Sequence, residues 1–345
     1  MVNEEKLMKI REEIDNYLNK FTGEEKFNGA IFVSIEGERV ISKGYGMGNF
    51  ELDVPNTHET KFRIGSVTKQ FTAAAIMQLC ENGLLSPEDT LDKYISDYPN
   101  GDKVTIHHLL THTSGIFNYT NIDDFDKNIM RNNHSTLELI EKFKNLPYDF
   151  EPGAKYSYSN SGYILLGYII EMVSKMSYEQ YLKENILNKL SMVNSGYDDH
   201  FKIIKNRASG YSFEGEEKIL SNCDFIDMSV PHGAGAMYST VEELHIWNNG
   251  LLKGKVVSEK YLKQMLSKHA NVEEGCYGYG VFVNEVELGG KVRKKIFHGG
   301  GIPGFRSTNR IFPIEDVQII MITNVLGESF TEKAPNVERI VFENL

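Results

Sequence analysis

Ser66 and Lys69 stand three residues apart in Arg63-Ile64-Gly65-Ser66-Val67-Thr68-Lys69-Gln70-Phe71, just ahead of the apolar run Phe71, Ala73, Ala74, Ala75, Ile76, Met77 and Leu79. The run is rich in strong helix formers and apolar almost all round, and Asn82-Gly83 stops it. It therefore predicts a helix buried in the middle of a large fold. Positions i and i+3 share a helix face, which sets a hydroxyl beside an amine at the mouth of that helix. An amine that is partly neutral can take the serine proton, and a helix N-terminus favours the negative charge that develops on reaction. The chemistry this suggests is nucleophilic acyl transfer. An isolated Ser-x-x-Lys arises often by chance, however, and a serine at a helix start is ordinarily only an N-cap. The decision lies with partners elsewhere in the chain.

Three further stretches carry suitable groups, in chain order: Leu109-Leu110-Thr111-His112-Thr113-Ser114-Gly115, then Tyr158-Ser159-Asn160 at the head of a second apolar helix pattern, and Phe297-His298-Gly299-Gly300-Gly301-Ile302-Pro303-Gly304-Phe305 at a strand end. A lysine with its ordinary pKa of about 10.4 is a poor base at neutral pH, so Lys69 needs burial or nearby positive charge, and its apolar helix offers burial. A tyrosine gives up its proton usefully only where cations gather, and Lys69 with His298 is expected to supply them. Three glycines in a row let a strand approach a substrate with no side chain in the way. Each feature also has a plainer reading: Tyr156, Tyr158 and Tyr163 as a packing cluster, His298 as a strand end, the glycines as a turn. Taken together the roles require one another, and every residue type needed is present.

The four motifs, in this order, resemble the serine β-lactamase and D-Ala-D-Ala carboxypeptidase superfamily, in the branch holding class C β-lactamases, D-aminopeptidases and related esterases. The resemblance extends over about residues 27 to 325, with Tyr158 92 residues after Ser66 and His298 140 after Tyr158. It implies Ser66 as nucleophile, Lys69 as base or electrostatic partner, and Tyr158 as the group that shuttles a proton to the leaving group. It likewise implies Asn160 as an amide that binds the substrate's acyl side chain. The N–H groups of Ser66 and Gly301 would form the oxyanion hole, with Gly300 beside them on the substrate-binding strand. His298 departs from the Lys-Thr-Gly strand of many relatives and is similar to some carboxypeptidases and aminopeptidases of the branch. Histidine is charged only part of the time near neutral pH, so efficient β-lactam turnover is not implied. A deacylating glutamate of the class A kind is not evident, which favours a tyrosine-centred mechanism. Arg306 is a candidate for binding a substrate carboxylate, or simply an exposed strand charge.

Elements able to position these groups are legible in the periodicity. Leu7, Ile10, Ile14, Tyr17, Leu18 and Phe21 predict an amphipathic first helix. Residues 29–35 and 39–45 flank Glu36-Gly37-Glu38 as an antiparallel hairpin. Gly44-x-Gly46-x-Gly48 lacks the following helix of a dinucleotide loop and reads as a strand end against a close backbone. His108 and His112 stand at metal-ligand spacing, but a third ligand is not apparent nearby, which favours packing or loop bracing. Helical patterns over 137–143, 164–172, 178–190, 241–252 and 258–266 fill the middle of the chain. From Tyr277 onward strand patterns return, closed by a helix with Val337, Ile340, Val341 and Leu345. The expected fold is α+β, of the β-lactamase/transpeptidase type. It has an antiparallel sheet built from both ends of the chain, terminal helices on one face, and a mainly helical lobe. The chain reads as a single domain over 1–345, its sheet lobe from about 1–65 and 255–345 and its helical lobe about 66–254.

Composition sets the remaining bounds. The 345 residues are 41% hydrophobic and 25% charged, ordinary for a globular protein. A net charge of −11 argues against nucleic acid or an anionic membrane as partner. No apolar run reaches the eighteen or so residues of a membrane span. Cys80, Cys223 and Cys276 are too few and too irregular for a disulfide framework. The opening residues lack a signal peptide's basic and apolar regions, so the sequence as written reads as cytoplasmic, or as extracellular or membrane-associated if a leader has been removed. The function expected is that of a serine hydrolase acting on D-peptides, amides, esters or β-lactams, with no cofactor or metal and a small-molecule or peptide substrate. The alternative is a catalytically silent ligand-binding or sensor protein of the same fold. Retention of all four of Ser66, Lys69, Tyr158 and His298 argues against that alternative.

Overall fold

Strands from the two ends of the chain meet inside one sheet. The computed structural model describes residues 3–21, 26–273, 275–327 and 330–345. Gly29–Ile35 pairs antiparallel with Val317–Thr323, from Gly29 opposite Thr323 to Ile35 opposite Val317, and both strands are buried throughout. Side chains alternate between faces along a strand. Ile31, Val33, Ile319 and Met321 join a core with Ile10, Ile14 and Leu18 of helix Glu4–Asn19 and Val337 and Val341 of helix Phe330–Asn344. Ala30, Phe32, Ile320 and Ile322 face the other way, into the larger core shared with the helices of the middle of the chain. The sheet has eight strands, in the spatial order Ala270–Val272, Gly275–Tyr277, Phe282–Leu288, Lys291–Ile302, Phe305–Phe312, Val317–Thr323, Gly29–Ile35 and Glu38–Tyr45. The fold is thus the expected antiparallel sheet, with the two terminal helices packed side by side on one face.

The helix Thr68–Glu81 runs through the larger core, and every residue from Thr68 to Cys80 is buried. Burying polar side chains this deeply costs free energy unless each finds a partner. Gln70 Oε1 accepts from Trp247 Nε1 at 2.9 Å and Asn309 Nδ2 at 3.1 Å. Thr72 Oγ1 donates to Gly233 O, and Gln78 Nε2 donates to Val256 O. At the C-terminal end Gly83 takes φ +70, which lets Leu84 N donate to Leu79 O at 3.0 Å. Phe71 and Trp247 stack at 3.9 Å and tie this helix to Val241–Leu252, which covers the sheet. The helix Asn160–Ser174 packs beside Thr68–Glu81 and Ile106–Leu110.

The middle of the chain is less purely helical than its periodicity suggests. Phe62–Arg63, Met237–Ser239 and Gly196–Tyr197 form a three-stranded sheet, and Val325–Leu326, Tyr211–Glu214 and Ile219–Asn222 form another. Strands of two to four residues are too short to show a period-2 pattern. Gly44 does stand against a close backbone, since a Cβ there would lie 2.2 Å from Asn56 O. His108 and His112 are held by different partners: His108 closes a capping box with Thr105, and His112 packs on the Tyr158 ring.

Candidate active site

Gly65–Val67 is a 3-10 turn leading into Thr68–Glu81, so Ser66 precedes the α-helix rather than capping it. Gly65 has φ +51, and a Cβ there would lie 2.8 Å from Gly301 N, so glycine alone lets this turn press against the glycine strand. One turn on, Lys69 is wholly buried. Its Nζ lies 2.8 Å from Asn160 Oδ1, 2.8 Å from Ala234 O and 3.1 Å from Ser66 Oγ. Burial holds the Lys69 pKa well below its ordinary value. A neutral amine has two N–H groups and one lone pair. In that neutral form the two carbonyl oxygens, which can only accept, take both N–H groups and leave the lone pair for the Ser66 hydroxyl proton. This is the arrangement a base requires.

Ala234 is delivered by the turn His232–Gly235. That turn is fixed because Ile64 N donates to Met237 O at 3.0 Å and Met237 N donates to Thr68 Oγ1 at 3.2 Å. A backbone carbonyl leaves no mark in a motif, and the sequence reading did not find it.

Tyr158 lines the same cleft, with Lys69 Nζ 4.8 Å from its ring centroid. Burial raises the Tyr158 pKa, with a hydrogen bond to Ser66 opposing, so the phenol keeps its proton in the free protein. Of the two cations expected at this tyrosine, the surroundings of His298 argue against its share. Burial pushes His298 down to about 3, and both its ring nitrogens are occupied. Nδ1 lies 2.6 Å from Gly299 O, which can only accept, so Nδ1 carries the proton. Nε2, 3.0 Å from the Tyr277 hydroxyl, then accepts from it. His298 is therefore a neutral, locked wall of the cleft. Accordingly, kcat/KM should show no limb near pH 6.5, the ordinary histidine value. A limb there that vanished in His298→Gln would restore a titrating role.

The cleft has a volume of about 400 Å³, and Ser66, Tyr158, Phe282, Phe297 and Arg306 line it along with residues 298–301. Phe282 is the first residue of its strand and pairs with Phe297, so that strand does not cover the glycines beyond. Across a two-residue hairpin loop, Ile302 pairs with Phe305 and Gly301 with Arg306. Antiparallel pairs alternate between hydrogen-bonded and open, and the pair beside a two-residue loop is hydrogen-bonded. Gly301 N–H therefore points away from its partner strand, toward the free edge where the Ser66 turn sits. Gly300 cannot carry a side chain, because a Cβ would lie 2.0 Å from Ile64 O. Arg306 is exposed and makes no hydrogen bond or ion pair with a described residue; its Nη1 lies over Gly301, 2.2 Å from where a Cβ would be. The structure thus gathers Ser66, Lys69, Tyr158, Asn160, His298, Gly300, Gly301 and Arg306 at one site. Asn160 enters through Lys69 Nζ, its carbonyl oxygen spent on the amine.

A family model described as Beta-lactamase matches residues 14–342. The chain belongs to the beta-lactamase family. Family members are typically serine hydrolases. Within it, the chain is 29% identical to the PbpX protein of Bacillus subtilis, named as a penicillin-binding protein, over 91% of this chain and 74% of that one. It spans 60% of the length of the Staphylococcus aureus protein flp at 27% identity and 87% of its own length. A penicillin-binding protein from Bacillus halodurans superposes with TM-score 0.81 at 27% identity, covering 97% of this chain and 99% of the other. The D-amino acid amidase of Ochrobactrum anthropi shares the fold, with TM-score 0.81 at 22% identity over 99% of this chain and 97% of the amidase. Two features of this beta-lactamase-family site besides Ala234 escaped the sequence reading. Tyr277 anchors His298, and its only signal was a tyrosine heading the returning strands. His112 sat within a noted motif, but its spacing to His108 drew attention to metal binding instead.

Proposed function

We propose that the protein is a serine hydrolase that forms an acyl-enzyme on Ser66, with small esters and D-amino-acid amides or peptides as its substrates. The observation that carries this reading is the Lys69 amine, wholly buried, with two carbonyl oxygens holding its protons and Ser66 Oγ 3.1 Å away. Ser66 Oγ attacks the substrate carbonyl carbon as its proton passes to Lys69. The oxyanion is held by the N–H groups of Ser66 and Gly301, each donor of this kind being worth roughly 2.7–4 kcal/mol. Tyr158 gives its proton to the leaving nitrogen or oxygen as that bond breaks, and the proton on Lys69 makes good the loss. Water then enters by the reverse path and releases the acid. Arg306 supplies the cleft with a permanent positive charge, suited to a carboxylate on the leaving group.

Lacking a charged group at His298, the site offers a β-lactam carboxylate little beyond Arg306. Nitrocefin turnover is accordingly expected below about 10⁴ M⁻¹s⁻¹ in kcat/KM, the low end for enzymes, and below that of a p-nitrophenyl ester. The test is intact mass and steady-state kinetics on one panel of p-nitrophenyl esters, D-amino-acid amides, a D-alanyl-D-alanine peptide and β-lactams. An adduct mapped to Ser66 with ester or amide turnover is the expected result. Nitrocefin at ~10⁶ M⁻¹s⁻¹ or more would make it a β-lactamase. No adduct and no turnover across the panel would remove the hydrolase reading.

A further inference from the structure

We infer that His112 is the positioning residue of Tyr158, gripping the chain on both sides of it and seating its ring. The inference rests on the reading of Tyr158 as the proton-transfer group. His112 is 1% exposed and takes φ +58, a left-handed conformation uncommon for any residue but glycine. That twist aims two acceptors of one residue at the same short segment. The His112 carbonyl accepts from Ser157 N at 2.9 Å, and its Nδ1 accepts from Ser159 N at 3.2 Å. The two bonds bracket Tyr158, which sits between the donors. The imidazole then covers the Tyr158 ring at 4.3 Å, inclined 35°. Its other ring neighbours are Tyr277 at 4.8 Å, Tyr163 at 5.1 Å and Tyr156 at 5.9 Å, so the ring is wedged between the proton-transfer tyrosine and the one that anchors His298.

Packing alone does not account for an imidazole here. A backbone N–H only donates, so Nδ1 is the bare nitrogen and Nε2 carries the hydrogen. Nε2 is buried without a hydrogen-bond partner among the described residues. An unpartnered buried donor is destabilising, and a phenylalanine would fill the space without it. What phenylalanine cannot do is accept from Ser159 N. Burial holds the His112 pKa well below its usual value, which keeps Nδ1 an acceptor. Ser159 also leads into the helix whose first residue, Asn160, holds Lys69, so one brace sets both the tyrosine and the amide.

Three variants of the full chain separate acceptor from ring. In His112→Asn the Oδ1 atom can take the place of Nδ1, and asparagine tolerates the left-handed backbone. In His112→Phe the ring remains and the acceptor is lost. If His112→Phe does not fold, His112→Gly replaces it, being free at φ +58 and lacking the acceptor too. With a p-nitrophenyl ester as substrate, His112→Phe or His112→Gly should lower kcat about 100-fold with KM within about twofold, the size expected of a misplacement near 1 Å. His112→Asn should recover at least about tenfold of that loss. Wild-type kcat in the acceptor-less variants, or equal losses in all, would reduce His112 to core packing. Tyr158→Phe is measured beside them. If it alone keeps wild-type kcat the proton-transfer reading is lost; if it is impaired while the His112 variants are not, only this inference is lost.

Discussion

Ser66→Ala is expected to abolish acyl-enzyme formation and lower ester turnover by roughly 10⁴-fold or more, the scale seen when a nucleophile is removed from a site whose other parts remain. The hydroxyl is the group placed 3.1 Å from the Lys69 amine, and alanine at this turn has nothing with which to attack. Stability should move little. Ser66 is half-buried, its neighbours Gly65 and Val67 carry the packing of the turn, and loss of one side-chain hydrogen bond is worth about 1 kcal/mol. The Lys69 N–H groups keep Asn160 Oδ1 and Ala234 O, so no buried donor is orphaned. Intact mass spectrometry after exposure to an activated ester, with a thermal melt of the same sample, checks both halves. An adduct of undiminished occupancy would place the nucleophile elsewhere. Loss of the melt would mean that Ser66 is structural, and the activity change could then not be attributed to chemistry.

Legibility in the sequence followed the length scale of the signal. Thr68–Glu81 was readable because thirteen consecutive buried residues leave a long apolar run, broken by Asn82-Gly83. That one sheet draws strands from both ends of the chain was readable because Gly29–Ile35 and Val317–Thr323 are mostly β-branched and aliphatic, as a sheet covered on two faces requires, but which strands pair was not. Ser66, Lys69, Tyr158 and the glycine run were found because side-chain chemistry and backbone freedom are both written in residue type. The protonation of the site was not readable. His298 looks like a cation in a motif, and only its burial and its bonds to Gly299 O and Tyr277 make it neutral. Ala234 O was invisible for a deeper reason: every residue has a carbonyl, and which one meets Lys69 is decided by the pairing of Phe62–Arg63 with Met237–Ser239, two strands too short to predict. His112 was seen, but its partner is a main-chain N–H 47 residues away.

The lowered Lys69 pKa carries the largest consequence for stability as well as rate. The pKa of Lys69 is held down by burial in the folded protein and returns to about 10.4 in the unfolded chain. Between the lowered value and 10.4 the unfolded chain binds one more proton at this residue than the native one does. Stability therefore rises with pH across that window, by up to about 1.36 kcal/mol per pH unit from this group alone. Lys69→Met keeps the length of the side chain and removes the titration. It should lower turnover by roughly 10²–10⁴-fold, the range for a general base. At neutral pH it should melt above the wild type, which must shed a proton to fold. The wild type should then close the gap as pH climbs from 7 toward 10, because only its lysine regains by deprotonation in the unfolded state. Lys69→Arg separates charge from basicity: a guanidinium keeps its proton throughout, so the variant should be as inactive as Lys69→Met and less stable than wild type at every pH in the window. Denaturant melts of the three proteins at pH 7, 8, 9 and 10, with ester kinetics at each, make the comparison. A wild-type-minus-Met stability difference that stays flat across those pH values would mean that Lys69 is charged in the native protein, and an active Lys69→Arg would remove it as the base.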